Sequence, residues 1–184
     1  MTQDRIDELL AFWFVQLTPK QWFEKNNEVD EAILHRFMGD YGKTTAQAFV
    51  PETALVSAEV ALAHLILFDQ LPRNMFRGAP RSFESDARAL RLAELAIERR
   101  FDEAVPKERR IFFYLPFEHS ESLADQARSV SLFEKLGNPV YIEFARAHYD
   151  VIARFGRFPH RNSILKRQST PEEEAFLSQP GSSF

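Results

Sequence analysis

The sequence predicts an all-α protein, and three observations carry that prediction. Almost every apolar pattern repeats with the helical period. No segment alternates with period two for long enough to make a strand. The patterned stretches are punctuated by helix stops and starts built from Pro, Gly, Ser, Thr and Asn. Together they give about eight to ten helices in antiparallel pairs with short connections.

The elements follow in order. Ile6, Leu9, Leu10, Trp13, Phe14 and Leu17 share one face of the first helix. Thr18-Pro19 stops it, and Pro19 opens a short turn carrying Trp22 and Phe23. Asn27 caps a helix running from Glu28 through Phe37. Gly39 and Gly42 then interrupt the pattern before Thr44 to Phe49, as one kinked helix or two. Thr53 or Glu52 begins the run Ala54 to Phe68, apolar nearly all round and therefore central, and Pro72 ends it. Ser82 caps a long amphipathic helix with Ala89, Leu92, Ala93, Ala96 and Ile97 on one side. Pro106 starts a shorter helix through Tyr114, terminated by Pro116.

Ser120 or Ser122 begins the next helix, whose stripe is Leu123, Ala127, Val130, Phe133 or Leu132, and Leu136. Gly137-Asn138-Pro139 is a stop and restart: C-terminal Gly, Asn as cap, Pro at the first helical position. The last long helix runs from Pro139 to Phe155, with Val140, Phe144, Ala147, Val151 and Phe155 along its stripe and His148 beside them. Thr170-Pro171-Glu172-Glu173 caps a short terminal helix. One domain over 1–178 is expected, with 179–184 a disordered tail.

Composition bounds the function. With 184 residues, 45% hydrophobic and 18 of them Phe, the chain carries more large rings than a disordered coil could. A net charge of −4 argues against a nucleic-acid partner. Basic residues are mostly Arg and gather over 143–167, where Arg146, Arg154, Arg157, Arg161, Lys166 and Arg167 face only Glu143 and Asp150. There is no Cys, so thiol chemistry and zinc–thiolate sites are excluded. The longest apolar stretch, Val60 to Phe68, is interrupted by His64 and too short to span a bilayer. The N-terminus is unlike a secretory signal, so a cytoplasmic protein without a membrane partner is expected.

Two corners repeat one chemistry. Asp69-Gln70-Leu71-Pro72-Arg73-Asn74-Met75-Phe76-Arg77 closes one apolar run, and Arg157-Phe158-Pro159-His160-Arg161-Asn162 closes another. A carboxylate at a helix C-terminus, such as Asp69, opposes the macrodipole unless a cation answers it. Asp69, Arg73, Arg161 and Asn162 are therefore expected to gather with Asp125 and His148 around one polar cavity. Gln126 and His148, at core edges in consecutive helices, point to a shared network. His119-Ser120-Glu121 is either a capping element or a His–carboxylate couple able to move a proton near neutral pH. His64 reads as buried and neutral. No metal-ligand spacing, phosphate loop or serine elbow is present, so neither metal nor cofactor is expected.

The same strings carry a resemblance. Asp69-Gln70-x-Pro72-Arg73-Asn74-x-Phe76-Arg77-Gly78, Tyr114-Leu115-Pro116, His119-Ser120-Glu121, Asp125-Gln126 and Arg154 to Asn162 resemble the bacterial domain-of-unknown-function family 924. Phe12-Trp13-Phe14, Trp22-Phe23 and Ser169 to Glu173 match its opening and closing. The resemblance implies a single-domain tetratricopeptide-like fold, antiparallel hairpins stacked in a right-handed array, and no activity. Only Leu136-Gly137 followed by Tyr141 and Ala145 hints at the corresponding repeat of about 34 residues. One departure is Leu165-Lys166-Arg167, where a Gly is expected after the Leu.

Three functions compete. The leading one is a binding or adaptor module that holds a protein or peptide in a polar groove. The second is a small enzyme or ligand-binding protein acting on an anionic small molecule. Its candidate acid–base residues are His119, Asp125 and His148. Its candidate ligand contacts are Asp69, Gln70, Arg73, Asn74, Arg77, Glu121, Gln126, Arg157, His160, Arg161 and Asn162. The third is purely structural, with polar corners locking the helix ends.

Overall fold

The structure, a computed structural model, describes residues 1–48 and 54–182. Among these every regular element is helical. Two compact units emerge: Met1–Arg77 with Arg81–Phe113, and Gly78–Pro80 with Tyr114 onward.

The first unit opens with α1 (Gln3–Ala11), which runs without a break into a π turn, Phe12–Gln16, closed by Leu17 N–H on the Phe12 carbonyl at 3.1 Å. A Thr18/Gln21 capping box starts α2 (Pro19–Phe23). The next helix, α3 (Asn27–Ala46), is capped by Asn26 and not Asn27: the Asn26 side chain accepts from the Glu28 and Val29 amides. It passes through Gly39 and Gly42 as one helix. Each glycine costs about 1 kcal/mol in a helix interior. Burial of Ile33, Phe37 and Tyr41 on one stripe outweighs that, at about 1.5–3 kcal/mol for each large side chain.

The proposed starts at Glu52 and Thr53 lie outside the described residues. The central helix, α4 (Ala58–Leu65), is capped by Ser57. Pro72 does not end it. A second π turn, Ile66–Gln70, closed by Leu71 N–H on the Ile66 carbonyl, leads into α5 (Leu71–Met75), with Pro72 in its first turn. Pro72 has no N–H to give the Phe68 carbonyl, which instead accepts the Ser85 hydroxyl at 2.5 Å. Tyr41 Oη donates in turn to Ser85 Oγ at 3.3 Å. Ser82 likewise is not a helix cap; its hydroxyl donates to the Phe76 carbonyl within a short 3₁₀ turn, Pro80–Phe83. The long helix starts later, as α6 (Asp86–Glu98), burying Ala89, Leu92, Ala93 and Ala96. The core is aromatic: Trp13 meets Phe112 edge-on at 5.9 Å, and Phe12 tilts on Phe37 at 5.4 Å.

A 3₁₀ turn, Lys107–Arg109, precedes α7 (Ile111–Glu118), which begins in the first unit and ends in the second. Pro116 sits inside α7 and does not terminate it. Ile111 to Leu115 and Phe117 are all buried, which outweighs the one hydrogen bond that proline removes.

In the second unit, Ser122 caps α8 (Leu123–Leu136), Gly137 closes it at φ +74°, and Asn138 caps α9 (Pro139–Phe155). The 3₁₀ turn Pro159–Arg161 and α10 (Pro171–Leu177), opened by the Thr170/Glu173 capping box, complete it. Both hairpin faces are rotated from the expected stripes. Leu123, Val140 and Phe144 are about half exposed, and the buried positions are Gln126, Ser129, Leu132, Phe133 and Leu136 on α8, with Ala145, His148, Val151 and Ile152 on α9. The inward polar residues explain the rotation, because Gln126 satisfies the last carbonyls of α7. In 179–182 the chain turns, and the Ser182 hydroxyl donates to the Leu177 carbonyl at 3.1 Å. No helix among the described residues is long and apolar enough to cross a membrane.

Lys166, where the resemblance leads one to expect Gly, adopts φ +55°. A side chain in the left-handed region costs about 1–2 kcal/mol, part of which glycine returns through its more flexible unfolded chain. Lys166→Gly should therefore stabilise the protein by about 0.5–1 kcal/mol in urea unfolding. A destabilised variant would mean that Lys166 makes a contact worth more than the strain.

Candidate functional site

In the first unit, the Pro-Arg-Asn corner leaves the π turn, a distortion common at functional positions. Asp69 and Gln70 are buried, and the Gln70 amide donates to the Asp69 carboxylate. Arg73 lies 3.6 Å from Asp69 and forms a fork on Asp86, at 2.9 and 3.0 Å. Asn74 donates to Asp30 at 2.8 Å, and Arg77 forks onto the same carboxylate with two 2.9 Å bonds. Asp30 and Asp86, single acids on helices, carry no motif that marks them in the sequence. Arg73, Asn74 and Arg77 are thus held from α3 and α6.

The second unit contains the other corner. Glu173 is buried, and Arg157 forks onto it at 2.7 and 2.8 Å, while Asn162 Nδ2 and the Thr170 amide donate at 3.2 and 2.8 Å. The Arg157 guanidinium, with the Thr170 and Asn162 donors, overcomes burial and brings the Glu173 carboxyl down to about 2. Asn162 Oδ1 accepts from Arg167 Nε at 3.0 Å. Arg167 then forks onto Glu121 at 2.7 and 2.9 Å, and Glu121 also accepts the Phe158 amide at 2.8 Å. Burial pushes the Glu121 carboxyl up, but Arg167 and the Phe158 N–H outweigh it and leave it below its ordinary value.

Glu121 is therefore committed to Arg167 and Phe158. Asp125 accepts the Ser120 hydroxyl at 2.7 Å, so Ser120 braces the helix entry while Ser122 caps it. An imidazole approaches a carboxylate where His148 Nδ1 lies 3.6 Å from Glu118, both side chains buried.

Around it the polar groups converge on one ring. Phe158, fully buried, meets the His148 imidazole edge-on at 5.6 Å and His160 at 5.5 Å, and the Arg161 guanidinium lies 4.4 Å from its centroid. His148 Nδ1 sits 2.9 Å from the Phe144 carbonyl. Only a donor can make that bond, so in the neutral ring Nε2 carries the lone pair. Burial lowers the His148 pKa to about 3, and the positive charges of His119, His160 and Arg161 add to the effect of burial. His64, in the first unit, is also lowered by burial. Gln126 Nε2 reaches the Glu118 and Ser120 carbonyls at 2.6 and 2.7 Å, the backbone on either side of His119. His119 and His160 are partly exposed, which leaves the cluster an approach from solvent.

Of the sequence candidates, the second unit thus brings His119, His148, His160 and Arg161 together, with Gln126 on the carbonyls at the end of α7 and Arg157, Asn162 and Glu121 in the clamp. Asp69, Gln70, Arg73, Asn74 and Arg77 belong to the first unit. Glu118, Ser129, Phe158, Arg167 and Glu173 were not singled out as site residues; Glu173 had a signal, as the acid of a capping box. Among the described residues no group of three or more His, Asp or Glu is placed to hold a metal ion.

A family model described as a bacterial protein of unknown function, DUF924, matches residues 9–181. The chain is similar to a solved structure of a protein of unknown function from Agrobacterium tumefaciens, with 39% identity and a TM-score of 0.90 over 97% of this chain and 99% of that one. No protein of curated function matches it.

Two pH responses follow. The unfolded chain protonates His148 near 6.5, whereas the folded one resists until about 3. The stability this withholds from the unfolded state is complete above pH 6.5 and is lost as pH falls through that interval, at up to about 1.4 kcal/mol per unit. Chemical denaturation from pH 7 to 4.5 should show that slope, and His148→Asn should flatten it. Glu173 acts lower: its contribution is complete above the ordinary 4.5 and disappears as pH falls towards about 2. Glu173→Gln should lower stability at pH 7 by about 3–5 kcal/mol and remove the corresponding acid-limb loss. An unchanged acid limb in this variant would rule out Glu173 as its source.

Proposed function

The chain belongs to the DUF924 family of bacterial proteins of unknown function, and we propose that its second unit binds a small anion on which His148 acts as an acid–base group. The observation that carries this is the Phe158 ring, which holds two imidazoles and a guanidinium against one buried point. Imidazole and guanidinium groups gathered at one buried ring are the chemistry that recognises a small anion, and the buried Glu118 carboxylate beside His148 supplies a countercharge for its protonated form. With Nδ1 donating to the Phe144 carbonyl, Nε2 is the basic nitrogen of the neutral His148 ring, and the Glu118 carboxylate 3.6 Å from Nδ1 would stabilise the imidazolium. An anion beside Arg161 and His160 cancels part of the field that depresses His148, raising its pKa from about 3. Binding and proton uptake are then coupled. A cytoplasmic setting suits such a small-molecule site.

A second reading, the adaptor module of a tetratricopeptide-like array, rests on the outer surface of α9. There a groove of about 590 Å³ is lined by Pro139, Ile142, Glu143, Arg146, Ala147 and Asp150. Val140 and Phe144 are exposed on the same helix, giving a peptide both apolar and charged anchors. The interior cluster is favoured because its groups converge, whereas the groove is one face of one helix.

Titration with inorganic phosphate at pH 6.5, against chloride of equal ionic strength, tests the anion site. The wild-type melting temperature should rise by several degrees at millimolar phosphate, and Arg161→Ala should lose most of that rise while His35→Ala keeps it. A wild type indifferent to phosphate would sink the anion reading and leave α9 as the functional surface.

A further inference from the structure

The π turn after α1 offers three consecutive rings. Phe12 and Trp13 enter the core of the first unit, and Phe14 is left partly exposed at its surface. From there an aromatic series runs outward: Phe14 meets Trp22 edge-on at 5.7 Å, and Trp22 meets Phe23 edge-on at 6.3 Å. The series is held in place. Trp22 Nε1 donates to the Trp13 carbonyl at 2.7 Å, and the Thr18/Gln21 box fixes the start of α2. Phe23, at the end of that helix, is nonetheless 52% exposed, and Val15, next to Phe14 in the chain, is 76% exposed. Rings fixed at a surface lose little freedom when a partner covers them, and Trp, Phe and Arg are the side chains enriched at the cores of protein interfaces.

Arg109 completes this face and brings its charge. The guanidinium lies 4.5 Å from the Phe14 centroid, and no carboxylate among the described residues answers it. Glu108, beside it in the chain, and Glu28, in the first turn of α3, meet no cation among the described residues either. Lys20 and Glu24 pair with each other at 3.5 Å on α2. Both signs therefore alternate along the two segments that carry the rings, as Lys20, Glu24, Lys25 and Glu28 on one and Lys107, Glu108 and Arg109 on the other. A strongly acidic or strongly basic partner would meet repulsion at such an edge. A copy of the same face would not, because a two-fold axis offers the cations of each edge to the acids of the other.

We propose that this face pairs two copies of the chain. Trp22 and Phe23 of one copy pack against those of the other, and Arg109 takes an acid, Glu28 or Glu108, from the other copy's edge. The face is small, so the pair is transient and forms at roughly 10–100 μM chain. It involves none of the residues of the second unit's imidazole cluster.

Sedimentation equilibrium and tryptophan emission test the pairing together. The mass of the wild type should climb from 21.4 kDa towards twice that value as its concentration rises through this range. The chain has only two tryptophans, and Trp13 is fully buried, so a blue shift in step with the mass reports Trp22. Phe23→Ser should weaken association about tenfold or more with its helical circular dichroism unchanged. Arg109→Glu keeps Phe23 and Trp22 in place and should weaken it several-fold. Phe144→Ser, at the exposed ring of α9, should pair like the wild type. A wild type still monomeric at millimolar concentration overturns the proposal. So does a dimer that either folded variant leaves at full strength, or one that Phe144→Ser abolishes, which would place the contact on α9. Should Phe23→Ser lose its helical spectrum, Arg109→Glu decides alone.

Discussion

A carboxylate removed from water must be met by donors on nearly every side, and in the second unit Glu173 sets that requirement for everything around it. Arg157, Asn162 and the Thr170 amide converge on its oxygens. The consequence runs outward. Asn162, pinned through its nitrogen, offers its oxygen to Arg167; Arg167 forks onto Glu121; and Glu121 takes the Phe158 amide. The Phe158 ring, fixed at its backbone by this chain of charge-assisted bonds, is the surface against which His148, His160 and Arg161 are arranged. Removing one member of such a network leaves the next buried charge unpaired, so the clamp behaves as a unit.

The first unit solves a different problem with similar means. Pro72 breaks the hydrogen-bond ladder of the central helix one turn after Phe68, and the helix responds by widening into a π turn. The carbonyl released at Phe68 is claimed by Ser85, itself touched by Tyr41. That exchange joins α3, the central helix and the entry to α6 through one polar thread inside an aromatic core. The acids that hold Arg73, Asn74 and Arg77 come from the same two neighbours, α3 and α6. The corner is therefore positioned by tertiary packing and not by its own sequence.

What was legible in the sequence, and what was not, divides along that line. Local chemistry was readable: the Gly137-Asn138-Pro139 restart and the Thr170/Glu173 capping box occur where the residues place them, because each motif satisfies backbone groups within a few positions. Breakers were overrated. Gly39, Gly42, Pro72 and Pro116 carry local penalties of a few kcal/mol, which burial of rings such as Phe37, Phe68, Phe113 and Phe117 exceeds. Helix faces were misjudged where polar residues point inward, since hydropathy cannot foresee that Gln126 will serve the carbonyls of α7 or that Phe144 will face water. Among candidate site residues, the imidazoles and arginines stood out by type. Their partners Asp30, Asp86 and Glu118 did not, because a lone helical acid gives no sign of which distant cation it will meet.

The clamp and the cluster differ in the kind of explanation they need. Arg157, Arg167, Glu121, Glu173 and Asn162 satisfy one another, and as a lock on the end of α9 they are complete. His148 is not a member of that set of bonds and meets it through the Phe158 ring. It is buried, and its charged form is opposed by desolvation and by the nearby His119, His160 and Arg161, while its Nδ1 meets the Phe144 carbonyl. An apolar side chain at position 148 would pack against Phe158 and Ile152 without those penalties. In the anion site proposed above, that neutral imidazole with a fixed tautomer, set beside a buried carboxylate, is the group that takes or gives the proton.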